Sequence, residues 1–175
     1  NGGKQVSGRL AYRPTAGLVL GASAARGEFF AREVTQALPE SGGSHAQTAL
    51  GADAEYSRGY WLVRSEVVWS RWNVPFATPA SSTDVDALGA WIEGRYRVTP
   101  RVVLSGRADR LGFSRLAAGA NLTPTWEANV WRVEAVAGFY IQRNLIVRAG
   151  VQYNERDGGR VRERRYFSGQ IAYWF

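Results

Sequence analysis

The hydrophobic pattern of this chain has a period of two. Trp61, Val63, Ser65, Val67 and Trp69 alternate with Leu62, Arg64, Glu66, Val68 and Ser70. Ala90, Ile92, Gly94, Tyr96 and Val98 alternate with Trp91, Glu93, Arg95 and Arg97. Trp131, Val133, Ala135, Ala137 and Phe139 alternate with Arg132, Glu134, Val136, Gly138 and Tyr140. The same alternation runs through 102–109, 145–154 and 170–175. Side chains of a β-strand point alternately to its two faces, so each run predicts a strand with one apolar and one polar face. No segment keeps a helical period.

The pattern predicts nine strands, at about 4–13, 17–27, 46–57, 60–72, 85–98, 101–113, 126–141, 145–155 and 162–175. Their connections alternate in length. Pro14-Thr15-Ala16, Ser57-Arg58-Gly59, Thr99-Pro100 and Gln142-Arg143-Asn144 are tight turns. The segments 28–45, 73–84 and 114–125 are long and rich in Gly, Pro, Ser and Thr, and 154–160 carries Asp157-Gly158-Gly159. The architecture expected is an all-β antiparallel up-and-down meander, one region over 1–175, with no crossover helix and no domain boundary.

Such strands suit either of two solvents. In a soluble sandwich the apolar face makes the core. In a transmembrane barrel the apolar face meets lipid and the polar face lines the interior. The alternation of tight turns with long loops favours the barrel. So do aromatics near the strand ends, namely Tyr12, Tyr60, Trp61, Trp69, Trp72, Tyr96, Trp126, Trp131, Tyr153, Phe167, Tyr173 and Phe175, which suit two interfacial girdles. The polar face, with its Gly, Ser and Gln and its Arg two residues from acids, suits a wet lumen.

Composition narrows the chemistry. The 175 residues include no Cys and one His, His45. That removes disulfides, thiolate metal sites and multi-His zinc sites, and no cofactor is expected. The longest stretches free of Asp, Glu, Lys and Arg are 12 residues, for example Pro14 to Ala25. A spanning helix needs about 20 apolar residues, but a spanning strand needs only about 9–11. Of the 22 basic residues only Lys4 is lysine, and the formal net charge is +7. The arginines are scattered and accompanied by acids, unlike the basic patch of a nucleic-acid binder, so no nucleic-acid partner is expected.

The C-terminal run Ser168-Gly169-Gln170-Ile171-Ala172-Tyr173-Trp174-Phe175 resembles the C-terminal assembly signal of bacterial outer-membrane β-barrel proteins. Ile171, Tyr173 and Phe175 match its alternate apolar positions and terminal aromatic. The glycine of the wider signal is displaced to Gly169. In that family the barrel assembly machinery reads this strand. A looser resemblance covers about residues 4–175. Leu10-Ala11-Tyr12-Arg13-Pro14, Gly51-Ala52-Asp53-Ala54-Glu55-Tyr56, Tyr96-Arg97-Val98-Thr99-Pro100-Arg101 and Arg107-Ala108-Asp109-Arg110-Leu111 are similar to the C-terminal half of phosphate-selective (O/P-type) porins. Those porins capture anions with rows of lysine. With Lys4 alone, phosphate selectivity does not carry over. Trimers are common in porins, so the resemblance implies a homotrimer or a larger envelope assembly, in contact with outer-membrane lipid and lipopolysaccharide.

Bacterial single-chain barrels have an even number of strands and both termini in the periplasm. If the tight turns are periplasmic, the last of nine strands ends there and the first starts outside. The expectation is therefore the C-terminal part of a larger barrel, with upstream strands. The alternative drops the first segment and closes eight strands into a small filled barrel.

The predicted lumen face carries Arg9, Arg64, Arg95, Arg97, Arg107, Arg132 and Arg148 against Asp53, Glu55, Glu66, Glu93, Asp109 and Glu134. These are either charged rings that set ion preference or pairs that neutralise one another and stiffen the wall. Seven against six leaves almost no net field, hence a weak anion preference at most. Arg160, Arg162, Arg164 and Arg165 stand at the outer end of the last hairpin, where they either pair with lipopolysaccharide phosphates or form a solvated loop end. A catalytic His45 would need a nucleophile and an acid converging on it, and no wall pair of that kind is evident. The expected function is a non-enzymatic porin-like channel for small hydrophilic solutes. Its rivals are a structural barrel with a blocked lumen, a barrel enzyme and a soluble ligand-binding β-barrel.

Overall fold

The alternating runs pair with one another in chain order. The computed structural model describes residues 4–29, 45–75, 82–115, 125–157 and 164–175. Among them are nine strands: β1 (Gln5–Thr15), β2 (Leu18–Glu28), β3 (Ala46–Arg58), β4 (Trp61–Pro75), β5 (Ser82–Arg97), β6 (Val102–Phe113), β7 (Val130–Gln142), β8 (Leu145–Arg156) and β9 (Arg165–Tyr173). They form a single sheet in the order β1 to β9, antiparallel at every step. β1 pairs with β2 from Gln5 onward, so the first segment is a full member of the sheet. The sheet does not close on itself, and β1 and β9 are its edges.

Register sets which residues share a face. One line of directly opposed residues runs Glu55, Arg64, Glu93, Arg107, Glu134 and Gln152. The next runs Asp53, Glu66, Trp91, Asp109, Arg132 and Asn154. A third, on the opposite face, runs Leu20, Ala54, Ser65, Ile92, Ala108, Val133 and Tyr153. The two register shifts, between Tyr12 and Thr15 and between Tyr140 and Gln142, both fall at tight-turn ends, so neither inverts the faces along a strand. Sequence alternation thus becomes one charged face and one apolar face across the sheet.

The tight turns are shorter than the sequence suggests. Pro14 and Thr15 belong to β1, and the link to β2 turns at Gly17, whose φ of +84° only glycine adopts without strain. β4 and β5 reach Pro75 and Ser82, lengthening both strands into the segment expected to be loop. β7 begins at Val130, not near 126. The residues before it fold across the sheet end instead: the Trp126 indole N–H donates to the Asp86 carbonyl at 2.8 Å, and Asn129 Oδ1 accepts the Phe113 N–H at 2.9 Å.

Burial is inverted relative to a water-soluble sheet protein. The apolar face stays open, with Leu10 82%, Val6 75%, Ile171 74% and Phe167 83% exposed. The buried apolar side chains, Val85, Ala87, Val103 and Ile146, all lie on the charged face. A Cβ on Gly138 would stand 2.8 Å from Val103 Cγ1 and 3.2 Å from Ile146 Cδ1, so the bare glycine leaves room for both side chains. Apolar surface of this extent must be covered by another apolar phase. Replacing Ile146 by Ala should therefore cost about 2–4 kcal/mol. Ile171→Ala, at an exposed position, should cost less than about 1 kcal/mol. Denaturant unfolding of the full-length protein in detergent checks both, and equal losses would contradict this placement of the packed side chains.

Candidate functional site

The charged face holds all thirteen of the side chains expected to line an interior. Arg9, Asp53, Glu55, Arg64, Glu66, Glu93, Arg95, Arg97, Arg107, Asp109, Arg132, Glu134 and Arg148 share that one face by register. Two more arginines join them. Arg13 has the parity of Arg9 on β1, and Arg156 that of Arg148 on β8. Sequence reading passed over both, although the alternation that placed Arg9 and Arg148 places them too.

Many of these charges are joined into short networks. Arg9 reaches across β2 to Asp53, with Nη2 donating to Oδ2 at 2.8 Å and Nε to Oδ1 at 3.1 Å. Gly21 lies between them, and a Cβ there would fall 1.9 Å from Asp53 Oδ2, so only glycine lets the pair form. Arg64 Nε donates to Glu55 Oε2 at 2.7 Å. Asp109 accepts from Arg107 at 2.8 Å and from Arg132 at 3.1 Å, while Arg107 lies 3.8 Å from Glu93 and stacks over the Trp91 ring at 4.3 Å. The Trp91 indole N–H donates to Glu66 Oε2 at 2.9 Å. Neighbouring strands stand about 5 Å apart, which is why these contacts run mostly between strands.

Four arginines of this face have no acidic partner among the described residues. Arg95 donates to the Tyr140 hydroxyl at 3.2 Å and Arg148 to Gln170 Oε1 at 3.3 Å. Arg13, Arg95, Arg97 and Arg148 make no ion pair with any described residue. All four sit within a few residues of a tight turn, whereas most of the acids sit further along the strands. The wall thus has a cationic margin at its tight-turn end and a mixed, paired zone beyond it.

Aromatics occupy both faces. Trp61 and Tyr96 meet at 4.5 Å near the tight turns of the apolar face, and Trp131 and Tyr153 at 5.4 Å near its other end. Trp61 to Trp69 spans roughly 27 Å along β4, or about 20 Å upright for a strand tilted by ~40°, close to the apolar band of a membrane barrel. Trp72 and Trp126, expected in a girdle, pack together on the charged face instead. Their rings meet at 5.8 Å, and Trp126 also meets Phe113 at 4.9 Å. Trp72 is on that face by parity with Ser70, and Trp126, even-numbered like Arg132, is held there by its bond to the Asp86 carbonyl and its contact with Phe113.

At the long-loop end of the apolar face, Arg71 donates to Asp86 at 2.7 Å and lies 5.1 Å over the Trp69 ring, a cluster the sequence did not single out. Arg165 lies on the same face, opposite Tyr153, and the Arg164 carbonyl accepts the Asn154 N–H. Arg160 and Arg162 lie outside the described residues. Ile171 and Tyr173 face outward opposite Val147 and Leu145, and Phe175 follows, fully exposed. His45 is buried where β3 begins, its carbonyl accepting the Phe29 N–H at 3.3 Å. No metal-ligand cluster occurs among the described residues.

Glu127, outside the strands, accepts the Ala128 N–H at 2.8 Å and pairs with Arg156. The Ala128 N–H first, and Arg156 second, hold its carboxyl below the ordinary carboxylate range. A folded pKa depressed in this way contributes stability that is present above the unfolded value and is lost as pH falls through the folded one. Arg156→Gln should move the Glu127 titration back toward its ordinary value while leaving the Ala128 contribution in place. An NMR titration of that carboxyl reads this directly, and an unmoved titration would refute the pairing.

No protein-family model matches the chain, and no curated protein matches it. The similarity to phosphate-selective porins therefore rests on the sequence pieces alone. Among solved structures it is similar to OmpT of Vibrio cholerae, an outer membrane protein, both in an in-vitro folded, trimer form and as expressed in the outer membrane. Each comparison gives a TM-score of 0.69 at 13% identity and covers 98% of this chain. The chain spans 56% of the length of those structures. The fold is that of outer-membrane β-barrel proteins, present here as nine strands of open sheet.

Proposed function

We propose that the chain forms part of the wall of an outer-membrane channel through which small hydrophilic solutes diffuse passively, with a weak preference for anions. One observation carries this reading: a continuous apolar face backs a face that bears fifteen charged side chains at the positions given above. Lipid accepts the first and only water accepts the second. The reading includes no enzymatic step. Its surroundings are outer-membrane lipid and lipopolysaccharide, with Arg164 and Arg165 at phosphate level, and the barrel assembly machinery that would read Ile171, Tyr173 and Phe175. The trimer form of the Vibrio protein supports a homotrimer as the assembled state.

Closure requires more strands than these nine. Unpaired backbone edges do not persist in lipid, and bacterial barrels have even strand numbers. If the part of the Vibrio structure that this chain does not cover had the same strand density, nine strands on 56% of it would scale to about 16. On this reading the chain is the C-terminal part of a larger barrel.

The aromatic cluster of Trp72, Trp126 and Phe113 favours a second reading, a scaffold barrel whose interior is closed at the long-loop end. Conductance separates the two. The full-length protein in a planar bilayer should give discrete current steps, with a zero-current potential in a salt gradient that marks a modest anion preference. Asp109→Asn leaves Arg107 and Arg132 without their shared carboxylate and should raise the anion-to-cation permeability ratio by about twofold. Absence of any current from folded protein would reject the channel and leave the scaffold.

A further inference from the structure

A groove on the charged face of β5 to β9 collects charges that the ion-pair networks leave over. Its floor is small: Ser105, Gly138, Gly150 and Ser168. Its margins are long: Arg95 and Arg148 toward the tight turns, and Glu93, Arg107 and Glu134 at the other end. The floor cannot be raised cheaply, because a Cβ on Gly150 would stand 2.9 Å from Ser168 Oγ and 3.0 Å from Val136 Cγ2.

The two arginines converge on this floor from different strands. Arg95 lies opposite Ser105, which lies opposite Val136, and Arg148 lies opposite Gly138. Their hydrogen-bond partners are the neutral Tyr140 and Gln170, and neither makes an ion pair with a described residue. Along β7 the same row continues from Gly138 through Val136 to Glu134. Glu134 stands opposite Arg107, yet Arg107 bonds to Asp109 instead, and Glu134 makes no ion pair with a described residue. Four residues along a strand are about 13 Å between Cα atoms, and the side chains reach into that distance from both ends. Arg95 and Arg148 thus stand toward one end of the groove, and at the other Glu93 and Glu134 flank Arg107, which is already bonded to Asp109.

We propose that this groove is a binding step for small zwitterions of the α-amino-acid class, the carboxylate held by Arg95 and Arg148 and the ammonium facing Glu134. The proposal rests on the channel reading and adds a solute class to it. A simple anion would satisfy the arginines and be repelled by Glu134. A cation would meet the reverse. A solute carrying both charges satisfies both ends, and planar guanidinium groups suit its carboxylate. The groove lies in a wet lumen, so the contacts are weak and the solute can leave.

The test is osmotic swelling of phosphatidylcholine vesicles that hold the full-length protein. Initial rates are compared in isosmotic alanine and in lactamide, an uncharged solute of similar size. The lactamide rate shows for each variant that the channel is folded and open. The wild-type ratio of alanine to lactamide should exceed one, by about two- to fivefold. Glu134→Gln and the double variant Arg95→Gln, Arg148→Gln should each bring it toward one, and the double Lys variant should restore part of it. A wild-type ratio of one overturns the proposal. A ratio that falls with the arginines and ignores Glu134→Gln overturns it in favour of a plain anion site. No swelling in either solute is the distinct failure of the channel reading itself.

Discussion

Everything in this molecule depends on the unbroken antiparallel register that carries the side-chain parity of one strand to the next. A slip of one residue between any two strands would turn the charged row of one toward the apolar row of its neighbour. A slip between β6 and β7 would take Arg132 from Asp109 and put Val133 in the place of Glu134 opposite Arg107. The ladder also satisfies the backbone polar groups within the sheet, so neither face has to supply hydrogen bonds to it. That frees one face to be mainly apolar, with charge confined toward its ends, and the other to carry charge along its length. The two register irregularities sit beside tight turns, where few residues follow them.

Given that parity, the placement of charge along the strands matters more than its sum. The thirteen charges expected on this face sum to only about +1, and Arg13 and Arg156 raise that to about +3. Yet Asp109 holds two arginines while Arg95, Arg97 and Arg148 hold no acid. The reason lies in the register lines. Arg107 is flanked by Glu93 and Glu134 on neighbouring strands, whereas Arg95 is flanked by Leu62 and Ser105. On the channel reading proposed above, a solute would meet these levels in turn, so a wall of small net charge would still present a cationic step and an acidic one.

The fold was largely legible because its signal is strictly local. Period two, with turn residues between runs, is enough to find β1 through β9 and to sort Arg64 and Glu66 from Val63 and Val67. What stayed hidden depends on contacts between distant segments. Trp126 continues the alternation of β7 on paper, but its indole is drawn to the Asp86 carbonyl 40 residues away, and the strand starts only at Val130. Trp72 was grouped with the girdle for being an aromatic near a strand end, although parity put it beside Ser70 on the charged face. The Arg9 and Asp53 pair was legible as two members of one face, but not as partners, because the contact spans a whole strand and needs the gap at Gly21. The leftover charges of the groove were illegible for the same reason, since which arginine Asp109 takes cannot be read from spacing.

The edges complete the physical argument. Nine strands that alternate in direction leave β1 and β9 running the same way, so joining them directly would demand a parallel ladder in an otherwise antiparallel sheet. An odd number of further strands lets both edges pair antiparallel, whichever segment or chain provides them. β1 is exposed along its whole length, and its outward residues Val6, Leu10 and Tyr12 continue the apolar face without a break. β9 does the same with Phe167, Ile171 and Tyr173. No proline interrupts Val6 to Tyr12 of β1 or any part of β9, although Pro14 stands at the turn end of β1. A strand that paired with either edge would have to share the parity that the rest of the sheet already has.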